Sequence, residues 1–124
     1  MINENSTKAE VLEAVRLRQN GAALYYASER LRNDKEVVLT AVKHDSWALA
    51  YASEDLCNDR EIVLEAVRKV GLALQYASDA LRGDREVVLA AVKSDWEALQ
   101  YASDEFQGEI AQLLVRTYGT GGKK

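Results

Sequence analysis

A repeat constrains this chain more than any other feature. The tripeptide Tyr-Ala-Ser occurs at Tyr26-Ala27-Ser28, Tyr51-Ala52-Ser53, Tyr76-Ala77-Ser78 and Tyr101-Ala102-Ser103, 25 residues apart each time. A second phrase keeps the same step: Glu36-Val37-Val38-Leu39, Glu61-Ile62-Val63-Leu64 and Glu86-Val87-Val88-Leu89, each continuing to an Ala-Val pair at Ala41-Val42, Ala66-Val67 and Ala91-Val92. A fixed short period is the mark of units that stack on their neighbours. An upstream copy, Val11-Leu12-Glu13-Ala14-Val15, sits 27 residues before its successor, which places two inserted residues around Gln19-Asn20-Gly21.

Each unit reads as two short helices. Val37, Val38, Ala41 and Val42 recur at helical spacing and form one wide apolar face. Asn33-Asp34-Lys35-Glu36 and Asn58-Asp59-Arg60-Glu61 put an Asn three residues before a Glu, the layout of a capping box. In the second helix Leu49, Ala52 and Leu56 fall at i, i+3 and i+7, and Ser94-Asp95-Trp96-Glu97 offers a further capping box at the start of its last copy. The Ser of Tyr-Ala-Ser either lies inside this helix or caps a short extra turn running through Ser53-Glu54-Asp55-Leu56. Acidic residues directly behind a Ser favour the turn. Strand alternation is absent and there is no Pro.

Helices this short are marginal alone, so the units are expected to bury their apolar faces against one another. The expected architecture is all-α: a short α-solenoid of about four 25-residue helix–turn–helix repeats plus a closing helix carrying Ile110, Leu113 and Leu114. Residues 1–118 are expected to form one domain, with 119–124 a flexible tail.

Several function classes are disfavoured by composition. Sixteen basic against 20 acidic residues give a net charge of −4, and no basic run offers the phosphate-neutralising footprint that nucleic acid needs. No apolar run reaches the roughly 18 to 20 residues that cross a bilayer. Met1-Ile2-Asn3-Glu4-Asn5-Ser6 shows no targeting pattern, so cytoplasmic residence is the default expectation. The single cysteine, Cys57, cannot form an internal disulfide.

The phrases Asp84-Arg85-Glu86-Val87-Val88-Leu89-Ala90-Ala91-Val92 and Ala73-Leu74-Gln75-Tyr76-Ala77-Ser78 resemble a helical-repeat family known as domain of unknown function 4116. The resemblance runs over roughly residues 8 to 118. It implies helical repeats and supplies no activity, cofactor or catalytic residue.

Residues that recur in every copy are what stacking demands. The row Tyr26, Tyr51, Tyr76, Tyr101 is therefore read as rings packed between units with hydroxyls at the rim, although such a row can also grip a peptide or stack bases. The acidic and basic rows Asp34/59/84, Lys35/Arg60/Arg85 and Glu36/61/86 are read as caps and local ion pairs. Residues that differ between copies are better recognition candidates: Trp47, Leu72 and Glu97 at one equivalent position, with Trp96 one place earlier. His44 and Cys57 are too few for a zinc site, and Cys57 stands where other copies carry Arg32 and Arg82. No phosphate loop or catalytic triad motif is visible. The expectation is a non-enzymatic protein–protein interaction module without cofactor, presenting one face to a protein partner. The alternative is a structural or accessory subunit of a larger assembly.

Overall fold

The computed structural model describes residues 2–18, 23–104, 106–108, 112 and 116. The inserted residues near Asn20, the apolar residues of the expected closing helix and the tail 119–124 lie outside them. Among the described residues there is no strand, and the chain is an all-α array of repeats.

The long helix of each unit forms where the Val-Val-Leu phrase predicts it: α1 (Lys8–Arg18), α4 (Lys35–His44), α6 (Arg60–Lys69) and α8 (Arg85–Ser94). One-turn helices α2 (Ala23–Tyr26), α3 (Glu29–Arg32), α5 (Glu54–Cys57) and α7 (Asp79–Arg82) lie between them. The short extra turn therefore exists in every full unit. Ser28, Ser53 and Ser78 cap α3, α5 and α7, each hydroxyl accepting from the backbone N–H three residues on at 3.2 Å.

Two sequence expectations need correction. The N-caps of α4, α6 and α8 are Asp34, Asp59 and Asp84, accepting from Val37, Ile62 and Val87 N–H at 3.1–3.2 Å, so Asn33 and Asn58 sit one residue outside the helix. Likewise Asp95, not Ser94, caps the segment that follows α8, accepting from Glu97 N–H at 3.0 Å. The second correction concerns that segment. The second helix of the unit is 3-10 rather than α, at Ser46–Tyr51, Gly71–Tyr76 and Trp96–Tyr101. Side chains at i and i+3 eclipse in a 3-10 helix, which puts Ser46 and Leu49, or Gly71 and Leu74, on one edge facing the core. Six residues is long for this geometry, and tertiary packing holds it.

The elements form two layers. In one, α1 packs on α4, α4 on α6 and α6 on α8; in the other, α2 and the three 3-10 segments follow one another in the same order. The core lies between the layers. Val37, Val38, Ala41 and Val42 are fully buried, as are their counterparts Ile62, Val63, Ala66 and Val67. Each fully buried Val, Leu or Ile contributes roughly 1.5–3 kcal/mol. The Ala in each set keeps the helix axes close.

Polar contacts of three kinds recur between neighbouring units. Ser53, Ser78 and Ser103 donate their backbone N–H to Arg32, Cys57 and Arg82 carbonyls at 3.0, 2.9 and 3.0 Å. Asn33 and Asn58, free of the capping role, accept from the Ser53 and Ser78 hydroxyls at 2.5 and 2.6 Å. The basic residue at each helix start reaches forward to the following unit: Lys8 to Asp34 and Glu36 (both 3.0 Å), Lys35 to Asp59 and Glu61 (3.2 and 2.9 Å), and Arg60 to Asp84 (3.0 Å) and Glu86. These pairs were expected within one helix start and instead bridge units.

Candidate interaction surfaces

The 3-10 layer carries the exposed aromatic residues. Its segments are too short and too close-packed to bury every side chain, so residues pointing away from the long helices emerge at the surface. Tyr25 and Tyr26 are each 58% exposed, Trp47 41% and Trp96 68%. Tyr51, Tyr76 and Tyr101 are half-buried and pack against the core. The tyrosine row is thus inter-unit packing over three copies, and its first member stands clear of the core.

Edge-to-face contacts link the exposed rings along the layer. Tyr25 meets Tyr51 with ring centroids 5.3 Å apart, and Trp47 meets Tyr76 of the next unit at 6.1 Å. Tyr25 also sits edge-on to Tyr26 at 5.0 Å. Of the residues singled out by variation, Trp47, Leu72 and Glu97 occupy one row across three neighbouring 3-10 segments. Leu72 is half-buried against the core and Glu97 is exposed. Trp96 belongs to a different row, with Ser46 and Gly71.

That row is informative. Ser46 and Gly71 are buried, and a Cβ on Gly71 would lie 2.2 Å from the Ala91 carbonyl oxygen at the end of α8. Gly71 is therefore required by space, and its N–H donates to the Ser94 hydroxyl at 3.1 Å. A Trp cannot be overlaid in this way.

Two sets of residues escaped sequence reasoning. Tyr25 has no aromatic counterpart at Ala50, Gln75 or Gln100, and that break in register was its available signal. The second set is a row of cations, Arg16, Lys43, Arg68 and Lys93, at one equivalent position near the ends of α1, α4, α6 and α8, all exposed. A search for linear basic runs misses it, since the spacing is 25 or 27 residues.

Neither lone reactive residue builds a site. The Cys57 thiol is half-buried and donates to the Leu49 carbonyl at 3.4 Å, and burial, with Glu54 nearby, pushes its pKa up, away from the reactive thiolate. His44 is exposed at the end of α4. No group of three His, Cys, Asp or Glu is placed to hold a metal among the described residues. No described helix is long and apolar enough to cross a membrane.

Stacked units of one long helix, one 3-10 segment and one capped turn define a helical-repeat protein. A model of the family Domain of unknown function (DUF4116) matches residues 11–57, 35–82 and 59–107, in windows that overlap by about one unit. The chain belongs to that family. No curated protein and no solved structure matches it.

Proposed function

We propose that this chain is a non-enzymatic protein–protein interaction module that meets its partner through the 3-10 layer. The observation that carries the reading is the exposure of Trp96, together with Trp47, on the layer that also exposes Tyr25 and Tyr26. Stacking does not call for a Trp at either position, because other units manage with Ser46, Gly71 and Leu72. Trp and Tyr supply large contact area with few rotatable bonds and dominate the energetics of protein interfaces. Trp47, Leu72, Trp96 and Glu97 are the residues assigned to recognition. Stacked helical units characteristically offer such extended surfaces.

The test compares proteins captured by the wild-type chain and by a Trp47→Ala/Trp96→Ala variant, from the native source, by quantitative mass spectrometry. Matched thermal melts establish that the variant is folded. The proposal expects specific partners to fall at least tenfold in the variant's capture. An unchanged set of captured proteins overturns it.

A further inference from the structure

The long-helix layer carries two rows of cations, and the fold uses only one. Lys8, Lys35 and Arg60, at the helix starts, are each held by an Asp and a Glu of the following unit. Arg16, Lys43, Arg68 and Lys93, toward the helix ends, make no ion pair with any described residue. The nearest acid on α6, Glu65, is engaged by Lys69 at 3.8 Å, and the Lys69 ammonium also donates to the Lys43 carbonyl at 2.7 Å. A cation in the last turn complements the helix dipole. That accounts for the sign of the charge, and Lys69 already serves the end of α4. It leaves the outer row unneutralised on a chain whose net charge is −4.

Between the two rows runs an apolar strip, Leu39, Leu64 and Leu89, with Leu39 and Leu89 only partly buried. Over α6 and α8 this becomes an open groove of about 870 Å³ lined by Leu89 and Ala90, by Arg68 and Lys93, and by Asp84 and Glu86, whose carboxylates are engaged by Arg60. Neighbouring helix axes lie roughly 8–10 Å apart, so the cations recur at about that step. Three residues of a chain in the extended polyproline II conformation rise about 9 Å and bring every third side chain back to the same face.

We infer that the Lys43–Arg68–Lys93 row is a docking surface for an extended acidic segment of a protein partner. Its carboxylates fall every third residue, and apolar side chains between them reach the leucine strip. Charge complementarity selects the ligand, and the match of periods sets its register. A nucleic-acid strand fits less well. Among the described residues the exposed aromatic rings lie on the opposite layer, leaving no stacking platform beside these cations. This surface is separate from the aromatic one and stands or falls without it.

The test is fluorescence anisotropy on the full chain with three labelled probes at near-physiological salt. One is a twelve-residue peptide with Asp or Glu at every third position and Leu or Ala between; the second has the same composition with its carboxylates bunched; the third is a twelve-nucleotide single strand. The spaced peptide should bind at least tenfold more tightly than the other two. Arg68→Glu/Lys93→Glu should abolish that preference while Trp47→Ala/Trp96→Ala leaves it intact, with circular dichroism and melting matched to wild type. Equal affinity for both peptides, tighter binding of the oligonucleotide, no binding at all, or loss with the Trp variant alone overturns the proposal. If the charge-reversed chain fails to fold, Arg68→Gln/Lys93→Gln serves in its place.

Discussion

Where α5 gives way to α7, Asn58 accepts from the Ser78 hydroxyl at 2.6 Å and the Ser78 N–H donates to the Cys57 carbonyl at 2.9 Å. One unit later Gly83 stands at the Asn position. The backbone contact survives, Ser103 N–H to Arg82 carbonyl at 3.0 Å, but the Ser103 hydroxyl is buried without a partner among the described residues. The geometry of stacking therefore does not depend on the Asn–Ser bridge. It is set by the core and by backbone hydrogen bonds, which Asn58 and Gly83 alike leave in place. The bridge adds stability to a junction already made, and losing it strands one hydroxyl.

The strongest way to press this comparison is to remove the second junction entirely. Deletion from Asp84 onward takes away α8 and the Trp96–Tyr101 segment, and with them the cover over α6 and Gly71–Tyr76. Three units remain, at the roughly three that stable arrays need, and the apolar face of the last of them is uncovered. The truncated chain is expected to be largely unfolded at room temperature by circular dichroism, whereas deletion of Gly119–Lys124 alone should leave the melt nearly unchanged. If both truncations melt like the full chain, each unit is stable by itself and the junctions are not what holds the fold.

Next in size is the contact that only small residues permit. Gly71→Ala places a methyl 2.2 Å from a backbone oxygen, which no side-chain rotation relieves. Separating α8 from the 3-10 segment at that point should cost about 3 kcal/mol, the upper part of the usual range for overpacking. A loss under about 0.5 kcal/mol in urea denaturation contradicts the close approach.

Much of this architecture is legible in the sequence, and the exceptions share a cause. The period, the apolar face Val37/Val38/Ala41/Val42 and the Ser-capped turns follow from local signals within one unit. The 3-10 character of the second helix does not, because Leu49 and Ala52 are i and i+3 in either helix type. Asn58 looked like a cap because three residues separate it from Glu61, whereas its partner is twenty residues away in the next unit. The ion pairs were hidden for the same reason. Arg60 pairs at separations of 24 and 26, one residue either side of the repeat length. In a repeat protein, residues displaced by one period are spatial neighbours, and that offset was the unused signal. For the candidate surface, Trp47, Leu72 and Glu97 were legible as variable positions. The cation row required knowing that Lys43, Arg68 and Lys93 share one face.

The two junctions can be interchanged by reciprocal substitutions. Asn58→Ala should leave the Ser78 hydroxyl without an acceptor, although it still accepts from the Leu81 N–H, and cost about 1 kcal/mol. Gly83→Asn should supply the missing acceptor. Its Cβ would meet the Ser103 Oγ at 3.3 Å and the Ala80 and Asp79 carbonyl oxygens at 3.6 and 3.7 Å, ordinary contacts apart from the first, and the Gly83 φ of −105° suits any residue. A gain of about 0.5–1 kcal/mol is expected, part of it from reduced freedom of the unfolded chain. Gly83→Ala separates the two contributions, since it restricts the chain without offering an acceptor. If Gly83→Asn is no more stable than Gly83→Ala, the bridge contributes nothing and the comparison loses its energetic meaning.

The smallest effect concerns the charged link between α6 and α8, and it has a definite sign with pH. Hydrogen bonding from the Arg60 guanidinium, outweighing partial burial and helped by the Val87 N–H, holds the Asp84 carboxyl below the usual carboxylate range. A depressed folded-state pKa contributes stability that is present above the unfolded value of about 3.9 and is lost as pH falls through the folded value. Asp84→Asn keeps a competent N-cap while removing the charge. The variant should therefore melt a few degrees below wild type at pH 6, on the usual scale of about 4 °C per kcal/mol for a domain of this size. The gap should close as pH falls below the usual carboxylate range, where wild-type Asp84 itself becomes protonated. Raising salt should narrow it at pH 6, because the pair is partly exposed and screening acts within about 8 Å at physiological ionic strength. A gap that persists unchanged at low pH would assign the Asp84 effect to capping geometry, and the inter-unit ion pair would then contribute nothing measurable to the stacking of α8 on α6.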